Sequence, residues 1–256
     1  MQQVELHDLV NLSLREDEKI VVSSNMPGVP LNENNLAWRA ASLIREEFGL
    51  TRGVTIHLDK QLPMEAGLAG GSSNGAAVLR GMNRLFRLEC SLEKLIKLAA
   101  KLGADMPFCV LGGTALATGI GEILTPLENK LKLDLVLVKP PFGVPTKEIY
   151  GNLRLDEIKV RPNTRQMIKA LAAGEKAGVA AALGNVLELV TTRLYPGVGQ
   201  IKDELFRMGV PALMSGSGAT VFGLIPDGRQ DLAERVAAIY REKKGYQVFL
   251  TSTLLI

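Results

Sequence analysis

The sequence predicts an α+β chain in two parts, and three observations carry that reading. Strand-like and helical runs succeed one another along all 256 residues. A glycine-rich loop joins a strand to a helix in the first half. Beyond residue 130, strand and helix signals alternate over about 120 residues in a way that suggests a split β-α-β arrangement. A boundary near residue 130 thus separates residues 1–130 from residues 131–256.

Val4, Leu6 and the run Leu9 to Leu14 read as strand, as does Ile20-Val21-Val22, with the charged turn Arg15-Glu16-Asp17-Glu18 between them. Asn32-Glu33-Asn34-Asn35 supplies cap residues for a helix from Leu36 to Phe48 that Gly49 closes. Leu36, Ala40, Leu43, Ile44 and Phe48 give it one apolar stripe. Val54, Ile56 and Leu58 alternate with polar residues as a half-buried strand does. After the glycine loop a helix runs to Phe86, and Ser91 caps another with Leu92, Leu95, Ile96, Ala99 and Leu102 inward and Gly103 as its stop. Thr114 to Thr118 is a short strand, and Leu133 to Val138 is an apolar one bounded by Pro140-Pro141. Helices are expected over Thr164 to Ala173, Lys176 to about Tyr195, Val198 to Met208 and Gln230 to Arg241. Strands are expected at Ala212 to Met214, Thr220 to Leu224 and Tyr246 to Leu250.

An apolar fraction of 46% is enough for a substantial core. A net charge of +3, without a basic stripe interleaved with aromatics, argues against nucleic acid and leaves a small anionic substrate open. Cys90 and Cys109 lack metal spacing, and His7 and His57 have no partner at ligand spacing, so no protein metal site built from them is expected. With neither a signal-peptide pattern nor an apolar run of membrane-spanning length, a cytoplasmic protein without a membrane partner is expected, as a monomer or homodimer.

Four segments carry chemistry. Pro63-Met64-Glu65-Ala66-Gly67-Leu68-Ala69-Gly70-Gly71-Ser72-Ser73 lies between strand and helix, a composition suited to wrapping backbone around phosphate. It is no P-loop, since no Gly-Lys-Ser or Gly-Lys-Thr occurs, and its glycine spacing is not the dinucleotide fingerprint. Asp105, in Leu102-Gly103-Ala104-Asp105-Met106-Pro107-Phe108, reads either as the N-cap of a short helix with proline in its first turn or as a general base in an apolar neighbourhood. Ser215-Gly216-Ser217-Gly218 reads either as a plain hairpin turn or as a second backbone clamp near an anion. Tyr150, after Pro145-Thr146, suits either stacking on a flat ring or partial burial.

Taken together and in this order, these segments resemble the GHMP kinase superfamily, and within it the branch acting on a cytidine-diphosphate-linked polyol. The run from Lys60 through Ser73-Asn74 matches its nucleotide loop, Leu102 to Asp105 with Pro107 its acidic motif, and Gly121 to Pro126 the segment that follows. Pro145-Thr146 with Tyr150 and Ser215 to Ala219 match in the second half. The resemblance implies a two-domain fold, with an N-terminal part like ribosomal protein S5 domain 2 and a ferredoxin-like C-terminal part. It implies ATP with Mg²⁺, and phosphorylation of the 2-hydroxyl of 4-diphosphocytidyl-2-C-methyl-D-erythritol in non-mevalonate isoprenoid synthesis. Residues Pro63 to Ser73 would wrap the triphosphate, Asn35 and Leu36 would contact the base with Lys60 beside it, and Asp105 would take the acceptor's proton. Tyr150 would lie against cytosine, with Thr146, Ser215, Gly216, Ser217 and Gly218 on the substrate side.

Two departures stand out. That branch opens with a strand carrying a Lys and, two residues on, an Asn, then an Asp-Gly-Tyr-His turn; here Gln2-Gln3-Val4-Glu5-Leu6 resembles the strand after that turn. No residue matches the catalytic Lys or the Tyr and His of the cytidine pocket. The expectation is that Met1 is an internal methionine of a longer natural chain, and that the chain as given retains part of its ATP binding with very weak turnover. Another GHMP kinase acting on homoserine or mevalonate, and a non-catalytic nucleotide-binding remnant, are the competing readings. The second departure is Gly75, where the superfamily usually carries Ala.

Overall fold

The computed structural model describes residues 1–255. The first half builds a three-stranded sheet from β1 (Leu9–Leu14), β2 (Ile20–Ser24) and, after α1 (Leu36–Phe48), β3 (Val54–Asp59). The order is β1-β3-β2, with β1 antiparallel and β2 parallel to the central β3. The glycine loop leads into α2 (Gly70–Leu85), followed by α3 (Leu92–Ala100) and α4 (Met106–Leu111). Alternation in β3 turns Val54, Ile56 and Leu58 onto the helices, where they pack with Ala40, Ile44, Leu79 and Met82. Each such large side chain, removed from water, contributes about 1.5–3 kcal/mol.

The cap signals act as read. Asn35 Oδ1 accepts from the Ala37 amide at 2.9 Å, and Gly49 takes a left-handed φ of 60° at the end of α1. Ser91 Oγ accepts from the Lys94 amide at 3.2 Å. Leu92, expected inward, is exposed, because the first turn of α3 overhangs the core edge and Leu95, Leu98 and Ala99 carry the packing.

A hairpin of β4 (Ala115–Thr118) and β5 (Ile123–Pro126) leads to β6 (Asp134–Lys139). There follow α5 (Thr146–Gly151), a 3₁₀ turn at Leu155–Glu157, α6 (Thr164–Ala173), α7 (Lys176–Ala181), α8 (Glu188–Leu194), α9 (Pro196–Arg207), β7 (Ala212–Met214), β8 (Val221–Leu224), α10 (Gln230–Arg241) and β9 (Gln247–Ser252). The sheet order is β7-β8-β6-β9, antiparallel throughout, which is the ferredoxin-like arrangement. β6 is covered on both faces: Val136 and Val138 pack under α9 and α10, while Leu135 and Leu137 face α6 and α7. Its unbroken apolar run reflects that.

The single helix expected from Lys176 to Tyr195 is two. Asn185 breaks it: its Nδ2 donates to the Met214 and Gly216 carbonyls at 2.9 and 2.7 Å, while its Oδ1 accepts from the Leu187 amide. That side chain competes with helical backbone bonds and fastens the break to the turn after β7.

The two halves are joined by more than the linker near residue 130. Residues 2–6, assigned to the first half by sequence, bridge both: Gln2 pairs with Thr114 and Val4 with Thr253. The Gln3 amide donates to the Gly113 carbonyl and the Glu5 amide to that of Ser252, both at 2.9 Å. Among the described residues no helix is long and apolar enough to cross a membrane.

Candidate functional site

A cleft of about 350 Å³ lies between the start of α1 and the loop that precedes α2. Of the residues expected to bind the donor, Asn35, Leu36, Lys60, Pro63, Met64, Glu65, Ala66, Leu68, Ala69, Gly70, Gly71 and Ser72 line it; Gly67 and Ser73 do not. Glu65, Gly67 and Ala69 all have positive φ, of 50°, 71° and 52°. Left-handed backbone at every second residue turns amides to one side, and two of the three positions are not glycine. Arg87 and Glu89 take the same φ away from the cleft, so it is the clustering of three such residues in five that sets this loop apart.

α2 starts beside this loop with no side chain capping its N-terminus and no acidic residue in its first turn. Its first amides therefore keep their donors for a ligand, with the helix dipole behind them. Ser73 Oγ is turned back to the Gly70 carbonyl at 2.9 Å, and Ser72 lines the cleft. The only charged residues in the lining are Lys60 and Glu65. Lys60 is also ion-paired with buried Asp8, so the cleft holds no surplus of side-chain positive charge and backbone dipoles supply most of the attraction for an anion.

Asn35, expected at the base, spends its side chain on the α1 cap and on the Pro30 carbonyl, 2.6 Å away. What it offers the cleft is therefore backbone and the rim of its amide.

The two halves meet at the loop. Ser215 Oγ donates to the Gly67 carbonyl at 2.8 Å, and the Thr220 amide donates to the Ala66 carbonyl at 3.2 Å. A Cβ at Gly67 would fall 2.3 Å from the Ser215 carbonyl oxygen and 2.7 Å from that of Gly218. Leu68 packs against the Leu133, Leu135 and Leu137 cluster. The Ser215 to Gly218 turn thus braces the loop from behind. Ser217 is buried, and its hydroxyl shares a hydrogen bond of 2.9 Å with Thr146 Oγ1, tying the start of α5 to the same turn. Tyr150, on α5, is 60% exposed, leaving its ring available to a flat ligand.

Asp105 sits at the N-cap position of α4 but makes no capping bond, and no hydrogen bond to its carboxylate occurs among the described residues. The carboxylate is open to solvent yet ringed by protein, and partial desolvation raises its pKa above the usual carboxylate value. It does not line the loop cleft. Its neighbour Met106 packs on the first turns of α2, where a Cβ at Gly75 would lie 2.9 Å from the Met106 methyl. That contact seats the start of α4 against the second turn of α2.

One turn on, Cys109 is half-buried, and its thiol is pushed up to about 12, first by desolvation and then by the Asp105 charge. In the folded protein Cys109 is expected to resist iodoacetamide at neutral pH, read by mass spectrometry; rapid labelling would mean that α4 opens in solution.

Sequence reasoning missed Asp8, Asn74 and Lys139. Buried Lys139, at the end of β6, donates to the Pro140 and Phe142 carbonyls at 3.0 and 2.9 Å and folds the segment leading to Thr146. Burial lowers its pKa, and Glu65 across the junction opposes that shift. Gly143 in this segment faces Glu65, where a Cβ would meet the carboxylate at 2.3 Å. An apolar-run ending in lysine was the available signal.

Comparison with known proteins agrees with this geometry. The GHMP kinases N terminal domain profile matches residues 35–113, and the GHMP kinases C terminal profile matches residues 167–244. The chain is 46% identical over 245 residues to the 4-diphosphocytidyl-2-C-methyl-D-erythritol kinase of Alkaliphilus metalliredigens (strain QYMF), covering 94% of this chain and 84% of that protein. A crystal structure of 4-(cytidine 5'-diphospho)-2C-methyl-D-erythritol kinase superposes with a TM-score of 0.80 at 33% identity, over 98% of this chain and 87% of that one. Homoserine kinase from Cytophaga hutchinsonii shares the fold, with a TM-score of 0.81 at 18% identity over 98% and 87% of the two chains. Matched in both halves and similar along nearly its whole length, the chain belongs to the GHMP kinases and, among them, to the 4-diphosphocytidyl-2-C-methyl-D-erythritol kinase family.

Proposed function

We propose that the chain transfers the γ-phosphoryl group of ATP to the 2-hydroxyl of 4-diphosphocytidyl-2-C-methyl-D-erythritol in the cytoplasm. The observation that carries the substrate is sequence identity along the chain, because fold similarity alone is as high for a homoserine kinase. The donor's phosphates lie along the loop of residues 63–73, at the uncapped start of α2. Asp105, with no other partner, accepts the proton of the acceptor hydroxyl. The new bond forms between that oxygen and the γ-phosphorus, the bond to the bridging oxygen breaks, and ADP leaves. Tyr150 and Thr146 face the acceptor side, with the Ser215 to Gly218 turn holding them in register with the loop.

No cluster of three or more His, Cys, Asp or Glu residues able to hold a metal occurs among the described residues. The cleft does offer two hard oxygen donors, the Ser72 hydroxyl and the Glu65 carboxylate, which suit a Mg²⁺ held chiefly by phosphates and water. When bound, the ion would neutralise phosphate charge that the side chains leave uncompensated.

ATP consumption with the cytidine-linked polyol, homoserine and mevalonate in parallel tests the reading. Turnover is expected with the first alone. Preference for homoserine or mevalonate would move the chain to another GHMP activity, and binding of ATP without consumption in any arm would leave a nucleotide-binding protein.

A further inference from the structure

Asp8 lies just before β1 and lines no part of the cleft, yet its carboxylate touches both ends of the phosphate loop. Its Oδ1 accepts from the Gln61 and Leu62 amides at 2.7 and 2.8 Å, where the chain enters the loop. Its Oδ2 accepts from Asn74 Nδ2 at 2.9 Å, where the chain has entered α2, and from the Lys60 ammonium. Lys60 in turn donates to Asn74 Oδ1 at 3.0 Å, closing a triangle. The Asp8 and Lys60 side chains are 1% and 6% exposed. A Cβ at Gly70 would lie 3.4 Å from Lys60 Nζ, so the ammonium is held under the first residue of α2.

These contacts do more than hold the sheet to the loop. Lys60 and Asn74 line the cleft, and both are oriented by Asp8. A loop whose two ends are pinned to one carboxylate has its amides set before a ligand arrives, which lowers the ordering cost of binding. The ammonium is held at the cleft wall, under the first residue of α2.

We propose that Asp8 is a positioning residue for the nucleotide's phosphates: it fixes Lys60, Asn74 and both ends of the loop in binding geometry without itself touching the nucleotide. The inference rests on the reading that the phosphates occupy this loop.

The test is nucleotide binding and steady-state kinetics on the intact chain and on Asp8→Asn, Lys60→Met and the double variant. Asp8→Asn is expected to raise KM for ATP, and the calorimetric Kd for MgATP, by about tenfold, with kcat changed by less than about threefold. The double variant is expected to bind no more weakly than the weaker single variant, because both changes act through one contact. A purely structural role would change the amount of folded protein and leave KM and Kd of the folded fraction alone. KM within about twofold of the unsubstituted chain, or strictly additive losses, would overturn the assignment. If Asp8→Asn does not fold, Asp8→Glu keeps the charge and displaces the oxygens by a methylene. A raised KM for ATP in that variant supports the assignment, and an unchanged one overturns it. An unsubstituted chain that binds no MgATP would overturn the phosphate reading and this inference with it; normal binding in both chains would overturn only the role of Asp8.

Discussion

Replacing Asp105 by Asn is expected to lower kcat by about 10²- to 10⁴-fold while KM for ATP stays within about threefold. The amide keeps the shape of the side chain but cannot take a proton. Because Asp105 caps no backbone amide, the substitution leaves α4 without a lost hydrogen bond, and the melting temperature should barely move. The pH dependence gives an independent check. A base works when ionised, so activity is full above its pKa and is lost as pH falls through it. Burial raises the Asp105 pKa, so the acid limb of kcat should begin above the range of about 4 usual for a carboxylate. That limb should be missing from the residual activity of Asp105→Asn. An Asn variant with kcat near that of the unsubstituted chain would remove Asp105 from the mechanism.

Gly67→Ala is expected to damage both stability and nucleotide binding. An alanine at φ 71° costs about 1–2 kcal/mol in backbone energy alone. Its methyl would also strike the Ser215 and Gly218 carbonyl oxygens, which are backbone and cannot step aside. Overpacking of that kind adds about 1–3 kcal/mol. For a chain of this length the sum lowers Tm by roughly 5–15 °C. Because the clash pushes the loop off its brace, Kd for MgATP should rise at least about tenfold even in the folded fraction. Gly49→Ala is the control: φ there is 60°, but nothing lies within 4 Å of the added methyl. It should cost only the backbone energy and leave ATP binding unchanged. Equal effects at the two positions, by thermal melting and calorimetry, would show that the contact with the second half contributes nothing.

Elements with their own punctuation were legible in the sequence. α1 begins and ends where Asn35 and Gly49 place it, and α6 and α10 fall on the expected residues. The glycine loop was legible because its composition departs from anything packing requires. What escaped depended on partners far along the chain. β5 has no strong strand pattern and exists because β4 is there to pair with it. The break between α7 and α8 is made by Asn185 reaching to residues 29 and 31 positions away. Asp8 looked like one more polar residue near a strand; its donors lie 52 to 66 positions on. The role of the Ser215 to Gly218 turn was open from sequence for the same reason, since its partner Gly67 is 148 residues upstream.

The pairing of residues 2–5 with Gly113, Thr114, Ser252 and Thr253 orders events during synthesis. Residues 2–5 are made well before β9 and find half of their backbone partners only when that strand emerges. Until then the early sheet and its helices can form, while the seam between the halves stays unzipped. The brace behind the glycine loop also comes late, because Ser215 is made 148 residues after Gly67.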